Sequence, residues 1–409
     1  MKRIAVSFVL VFFVASLLDG EPIYTKRRVN DVREGPGSYY DLIVTLPQNT
    51  QLDVIEKTAN WYKIQLPNNR IGWIAANCLI AKPSTTTRMA RLQNVWSSPR
   101  ASKAGIAAAI KGFGDKYGKT DPGNVDKVLA YSEKDFTGRD LAAFNNEIRK
   151  YDSNNRGRVD LDDLDLGAPD YDVTLPERQI GVGIAARLIS HGVVDNPDLR
   201  KYVNLICATI VANSQIYDED FTVFVLDDNK INAFALPGGY ILLTKGIVQM
   251  CHDESELAGV IAHEIGHVIR RHGLEEISKR AANIAADKAF DELDQEVGQT
   301  EDEKDLEDMI ESTYDKVLHP RLIKYELEAD KVGSVLAANA GYDPFGLVRM
   351  VERMASIPKD QGDIFDATYM APNGFIERQE AIVKFANDEF KKSNPGATMP
   401  ERFAQHRIQ

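Results

Sequence analysis

Hydrophobic and polar positions along this chain follow two different periods, and the change between them divides it. From residue 24 to 81, short β-prone runs at 42–46, 51–55, 61–66 and 72–74 are separated by the turn sequences Gly35-Pro36-Gly37 and Pro67-Asn68-Asn69. That pattern predicts a small all-β unit. Over residues 171–390 apolar positions recur mostly at helical spacing, which predicts a mostly α unit. One β insertion interrupts it: 222–226 and 231–243 read as strands joined by the turn Asp227-Asp228-Asn229-Lys230. Residues 82–170 read as a linker and partly helical region. It opens on Lys82-Pro83-Ser84-Thr85-Thr86-Thr87, and 101–113 and 140–151 are its helix candidates. Residues 391–409 read as a C-terminal tail.

The chain start is a third kind of pattern. Lys2 and Arg3 precede a nearly unbroken apolar run over 4–18. That is long enough for a secretion-signal core and shorter than the roughly 20 residues of a membrane helix. Residues 1–20 are therefore expected to be a signal peptide, and the protein to be exported, periplasmic or secreted. No other stretch has span length, so no transmembrane span is expected in the mature chain.

A length of 409 residues exceeds what one compact core usually needs, in line with several domains. The formal net charge of -12 argues against nucleic acid as a partner, because phosphates call for clustered Lys and Arg. The cysteines Cys78, Cys207 and Cys251 are odd in number and show no C-x-x-C spacing, so no disulfide scaffold is expected. Cys207 lies in the apolar run 203–211 and should be buried. Residues 287–316 carry thirteen acidic and three basic side chains, the composition of a solvated helix or mobile loop. Asp152-Ser153-Asn154-Asn155-Arg156-Gly157, with Asp160 and Asp163, resembles the opening of a calcium loop. Arg156 puts a cation where an oxygen ligand belongs, and Asp163 stands where a bidentate Glu is usual. A solvated turn is the expected reading, with calcium left open.

The strongest chemistry is in His263-Glu264-Ile265-Gly266-His267. It lies in 253–271, which has the marks of one helix. Asp253 can cap it with Glu256 three residues on, Leu257, Val260, Ile261, Val268 and Ile269 form an apolar stripe, and Gly273 can stop it. Positions i and i+4 share a helix face, so both imidazoles can aim at one point. Two imidazoles and a carboxylate leave zinc a fourth place for water. Glu264 then sits beside that place and can take a proton from the water. Such a pentapeptide arises by chance in roughly one chain of this length in a hundred, so context has to decide. The context is a second i, i+4 pair, Glu326 and Asp330, in Glu326-Leu327-Glu328-Ala329-Asp330, on a predicted helix running to Asn339 and ending near Gly341. One carboxylate can ligate the metal and the other can orient a ligand histidine. Alone, the pair would equally suit an exposed acidic helix face.

Together with Ile231-Asn232-Ala233-Phe234-Ala235-Leu236-Pro237-Gly238-Gly239-Tyr240-Ile241, Gly333 and Ala340-Gly341-Tyr342-Asp343-Pro344, these residues resemble the M48 zinc metallopeptidases over roughly 171–385. The resemblance implies a mostly helical, gluzincin-type fold with a small β-sheet. It implies one zinc per chain on His263, His267 and Glu326, Glu264 as general base, and Asp330 orienting a ligand histidine. In the β-rich unit, Val32-Arg33-Glu34-Gly35-Pro36, Trp61-Tyr62-Lys63-Ile64 and Gly72-Trp73-Ile74 resemble a bacterial SH3-type domain. That likeness implies a small all-β barrel with a cell-wall or protein ligand; Trp61 and Trp73 suit a barrel core just as well.

Asn232, Ala233, Phe234, Gly238 and Gly239 are the candidates for pairing with an extended substrate, or else for an ordinary buried hairpin. One departure stands out. Where the family commonly has His-Pro followed by Arg, this chain has Met370-Ala371-Pro372 before Arg378. The oxyanion donor is left open, with Tyr369 or Arg378 as stand-ins. His252 and His272 flank the helix and are expected to be structural rather than ligands. The expected function is an exported zinc endopeptidase acting on polypeptides, in quality control of envelope or secreted proteins. The alternative is a silent or gated M48-like binding or chaperone protein.

Overall fold

In a computed structural model the described residues are 22–27, 29–83, 122–151, 158–167, 175–272, 322–358, 372–391 and 396–408. The expectations for the signal segment 1–20, the helix at 101–113, the Asp152 loop opening, the acidic stretch 287–316, and Tyr369 and Ala371 lie outside them.

The first unit is a single seven-stranded antiparallel sheet. Its strands are β1 (Ile23–Thr25), β2 (Val29–Arg33), β3 (Leu42–Pro47), β4 (Gln51–Lys57), β5 (Trp61–Gln65), β6 (Ile71–Ala75) and β7 (Leu79–Ile80), in the order β3-β2-β6-β5-β4-β1-β7. Alternation explains it: Val32, Leu46, Ile64 and Ile74 point inward and are completely or almost completely buried, with Trp61 beside them. The four expected strands are present; β1, β2 and β7 complete the sheet.

The second unit is mostly helical. The described helices are α1 (Pro122–Ser132), α2 (Gly138–Arg149), α3 (Leu175–Leu188), α4 (Pro197–Ala212), α5 (Lys245–Met250), α6 (Glu254–Ile269), α7 (Ile323–Asn339), α8 (Phe345–Ala355), α9 (Pro372–Phe390) and α10 (Pro400–Gln405). Helix α2 starts before the expected 140 because Thr137 and Asp140 form a reciprocal capping box. Leu141, Phe144 and Ile148 then make its buried stripe. Helix α4 starts at Pro197, with the Asn196 side chain accepting from Leu199 N, and buries most of its length.

Three strands complete the unit: β8 (Thr222–Leu226), β9 (Ala233–Leu236) and β10 (Tyr240–Thr244), in the order β8-β10-β9. Strand β10 pairs parallel with β8 and antiparallel with β9. The expected single strand 231–243 is therefore broken. Pro237 has no N–H for a ladder, and Gly238 and Gly239 take φ of 75° and 89°, which turns the chain into a hairpin. A Cβ on Gly239 would lie 2.3 Å from Asp220 O, so only glycine fits. The turn 227–230 leads not to a partner of β8 but past it, leaving β9 at the edge. The sheet is covered on both faces. Val223, Val225, Ala235, Ile241 and Leu243 join the core under α4 and α6. Phe224, Leu226, Phe234, Leu236 and Leu242 pack with Ile180, Val182 and Ile184 of α3. That double burial accounts for the unbroken apolar runs.

Helix α6 is the axis of this unit. The Asp253 side chain accepts from Glu256 N at 3.1 Å, as its sequence predicts, and every residue of the helix is buried. It packs on α7, α8, α4 and β9, while α9 covers α7 and α8. All three cysteines are buried and free. Among the described residues no helix is long and apolar enough to cross a membrane.

The two units meet through polar contacts. Arg27 pairs with Asp218 and Glu219, Asn77 donates to Asp218 at 2.7 Å, and Arg178 of α3 reaches Asp31 at 3.2 Å. Trp61 sits edge-on against Tyr217, and the rings of Tyr39 and Phe136 lie tilted, centroids 5.9 Å apart.

Candidate metal centre

The site lies where α6 crosses α7. His263 and His267, one turn apart, turn their rings toward Glu326 on the first turn of α7. His263 Nε2 and His267 Nε2 are 3.0 Å apart; Glu326 offers Oε2 at 3.5 Å from the first and Oε1 at 3.3 Å from the second. Tetrahedral coordination with bonds of 2.0–2.1 Å needs ligand atoms about 3.3 Å apart. The distance between the two Nε2 atoms and the approach of Glu326 to each ring lie near that spacing, and all three residues are buried. Among the described residues they are the one His/Cys/Asp/Glu group so placed.

Charge balance shapes the rest. His263 Nδ1 lies 2.9 Å from Asp330 Oδ1. Arg378 donates to Asp330 through Nε at 2.9 Å and Nη2 at 2.7 Å, and places Nη1 3.0 Å from Glu326 Oε2. Burial alone would raise both carboxylates. The Arg378 guanidinium and the neighbouring histidines outweigh it, holding Glu326 well below the usual range and Asp330 below it. Burial likewise works against a charged His263, but its bonds to Asp330 and Glu326 prevail and raise it to about 9. Two imidazoles and an ionised carboxylate, one imidazole anchored at its far nitrogen, form the donor set of a divalent transition metal.

The remaining sequence candidates divide between this centre and other parts of the fold. Glu264, next to His263 on α6, is buried at 5% exposure. Ala233 is half-buried on the edge strand β9, which packs on α6. Asn232 closes the hairpin: its N–H donates to Thr244 Oγ1 at 3.0 Å, and its carbonyl accepts from Thr244 N at 3.1 Å. Phe234 turns to the α3 side, away from His263, His267 and Glu326. Gly238 lies against the Arg178 backbone, 2.8 Å from where its Cβ would be. Arg378, a stand-in for the oxyanion donor, has its donors turned to two carboxylates instead. His252 lies away from the centre, 3.0 Å from Arg353.

His272 and Glu328 were not singled out for this centre by sequence. His272 Nδ1 lies 2.9 Å from His267 Nδ1, and His272 Nε2 3.1 Å from Glu328 Oε2. Helical spacing misses the first contact because α6 ends at Ile269 and Arg271 takes φ 54°, folding His272 back alongside His267.

The chain resembles known proteins in two of its parts. The chain matches Peptidase family M48 over residues 197–404, half its length, and the bacterial SH3 domain family over 29–80. A Vibrio cholerae protein provisionally named beta-barrel assembly-enhancing protease is 34% identical over 167 residues, 40% of this chain and 34% of that relative. The mitochondrial metalloendopeptidase OMA1 of Schizosaccharomyces pombe is 34% identical over 162 residues, 39% of this chain and 45% of that relative. The beta-barrel assembly-enhancing protease of Escherichia coli K12 is 35% identical over 80 residues, 20% of this chain and 16% of that relative. The chain thus spans less than half the length of these curated relatives.

Proposed function

The chain belongs to peptidase family M48, and from that premise we propose that it is an exported, zinc-dependent endopeptidase that hydrolyses polypeptides. The observation that carries this reading is the convergence of His263, His267 and Glu326 at tetrahedral ligand spacing. A zinc ion held there would acidify a water and polarise a peptide carbonyl. The chain's own residues would do the rest. Glu264, buried beside His263, would take the proton of the attacking water on its carboxylate and hand it to the departing amine. Asp330 would keep the His263 proton on Nδ1, leaving Nε2 as ligand. Strand β9, at the edge of the described sheet with Ala233 at its start, would pair with an extended substrate through its backbone, which gives affinity with little sequence demand.

Substrates of this kind are unfolded or misassembled envelope or secreted proteins, a reading supported by the names of the bacterial relatives. The SH3-like unit would bind a cell-wall or protein ligand. The basic and apolar start of the sequence supports export. The alternative, a silent or gated binding protein, is motivated by Ala371 where the family commonly has histidine.

Zinc content and casein digestion test the proposal. Wild type should hold one zinc per chain and digest casein until a chelator is added. Glu326→Ala should lose the metal, and Glu264→Gln should keep it while losing activity. Zinc without digestion would favour the silent reading. A Glu264→Gln variant as active as wild type would overturn the mechanism.

A further inference from the structure

The two ligand imidazoles are supported differently. His263 is anchored by a carboxylate, Asp330, at 2.9 Å. His267 meets another imidazole: its Nδ1 is 2.9 Å from His272 Nδ1, and His272 Nε2 is 3.1 Å from Glu328 Oε2. We propose that His272 is a positioning residue that fixes His267 as a metal ligand, with Glu328 setting the direction of the chain. This rests on the metallopeptidase reading of the site.

The proton positions follow from donor and acceptor chemistry. A ligand nitrogen must offer a lone pair, so His267 bound through Nε2 carries its proton on Nδ1. That proton points at His272 Nδ1, which must therefore be the acceptor. A neutral imidazole has one proton, so that of His272 is on Nε2 and is donated to Glu328 Oε2. The other Glu328 oxygen, Oε1, pairs with Arg270, which fixes the terminal acceptor in place. The order His267 Nδ1–H to His272, then His272 Nε2–H to Glu328, keeps the lone pair of His267 on Nε2 for a metal and makes both links hydrogen bonds.

The surroundings hold the relay still. His272 is 2% exposed. Its ring lies against Tyr325, centroids 4.5 Å apart, immediately before the ligand Glu326. Arg271, in the left-handed conformation at φ 54°, turns the chain so that His272 returns to the face that carries His267. Both ligand histidines of α6 are thereby tied to α7, His263 through Asp330 and His267 through His272 and Glu328. Loss of either tie would let one ligand ring rotate relative to Glu326.

The test is zinc affinity of the full chain, by competition with a fluorescent chelator, for wild type, His272→Ala, His272→Asn and Glu328→Gln. His272→Ala should weaken zinc binding about 10- to 100-fold. His272→Asn, whose amide oxygen can replace the Nδ1 acceptor, should recover most of that loss. Glu328→Gln should weaken binding less than His272→Ala. In zinc-loaded wild type, long-range proton–nitrogen spectra should show the His267 proton on Nδ1 and the His272 proton on Nε2. Folded His272→Ala that binds zinc as tightly as wild type, or His272→Asn no better than His272→Ala, would overturn the proposal. If His272→Ala does not fold, the ring spectra and Glu328→Gln decide: opposite tautomers, or a Glu328→Gln affinity equal to wild type, would sink it. A wild type that retains no zinc would instead overturn the metallopeptidase reading itself.

Discussion

Gly333 of α7 faces the backbone of His263 so closely that a Cβ there would lie 2.7 Å from the His263 nitrogen and 2.8 Å from its Cα. This contact sets the spacing of α6 and α7. With the helices touching backbone to backbone, the short side chain of Asp330, one turn earlier, reaches the far side of the His263 ring. Glu326, a turn earlier still, meets both imidazoles. A side chain at 333 would wedge the helices apart at the point where the ligand set is assembled.

Gly333→Ala should therefore weaken both the fold and the metal site. Alanine gains up to about 1 kcal/mol in helix propensity. Overpacking against backbone that cannot move aside costs roughly 1–3 kcal/mol, so the clash wins. Zinc affinity should fall with it. Gly266→Ala is the milder comparison, since its Cβ would meet Ala329 O at 3.3 Å, a tight approach that asks for only a small shift. Thermal unfolding and chelator competition on both variants check this; equal effects at the two positions would count against the crossing as the determinant.

Arg378 is shared by two buried carboxylates, Glu326 and Asp330, and is itself 1% exposed. Removing one partner of a buried ion pair costs roughly 3–5 kcal/mol because the remaining charge is stranded. Here the stranded charges would flank the proposed dication, which could supply what the guanidinium gave. Arg378→Met should thus lower the unfolding midpoint strongly in chelator and much less with excess zinc. A loss of the same size in both conditions would mean that Arg378 acts by packing alone.

What the sequence reveals about this site and what it hides have one physical cause. His263, His267, Glu326 and Asp330 are legible because each pair is one turn apart on one helix, and helical geometry alone puts each pair on a shared face. The Asp253 cap and the end of α7 at Asn339 before Gly341, φ 92°, are local for the same reason. Strand order is not local. Nothing in 222–244 says that β10 takes the centre and β9 the edge, because that is decided by what covers each face. The contact of His272 with His267 was hidden by a left-handed residue after the last helical turn. The sequence offered Arg378 only as an oxyanion donor; its pairing with Glu326 and Asp330 was hidden because they lie on another helix, far off in sequence.

The contact between the two units should respond to pH. Glu219, buried against Arg27, is raised from 4.5 to about 8, first by burial and then by the neighbouring Asp218, with Arg178 and Arg27 pulling it back. A group whose pKa is higher folded than unfolded gives stability that is complete below the unfolded value and lost as pH rises through the folded one. The relevant window is therefore about pH 4.5 to 8. Wild type should lose stability across it, and Glu219→Gln, which cannot ionise, should show a flatter profile. Urea unfolding of both at pH 5, 6, 7 and 8 measures the difference. Parallel profiles would show that Glu219 does not control the docking.

The C-terminal helix α10 should be a structural latch with no part in metal binding. Glu254, the first residue of α6, is completely buried and accepts from Tyr202 Oη at 2.9 Å, Tyr342 Oη at 2.8 Å and Arg402 Nε at 2.6 Å. Arg402 also donates its Nη2 to the other Glu254 oxygen and lies 3.6 Å over the Phe144 ring, which ties α10 to α2 and to the start of α6. Arg402→Met would leave that carboxylate buried with only neutral donors, at a cost of roughly 3–5 kcal/mol. Tyr202→Phe removes one hydrogen bond to a charge, worth about 1.5–3 kcal/mol. Because Glu254 sits more than two helical turns before His263, zinc affinity of either variant should equal that of wild type while urea unfolding shifts by these amounts. A drop in zinc affinity in the still-folded Arg402→Met protein would mean that strain at the start of α6 travels along the helix to its metal ligands.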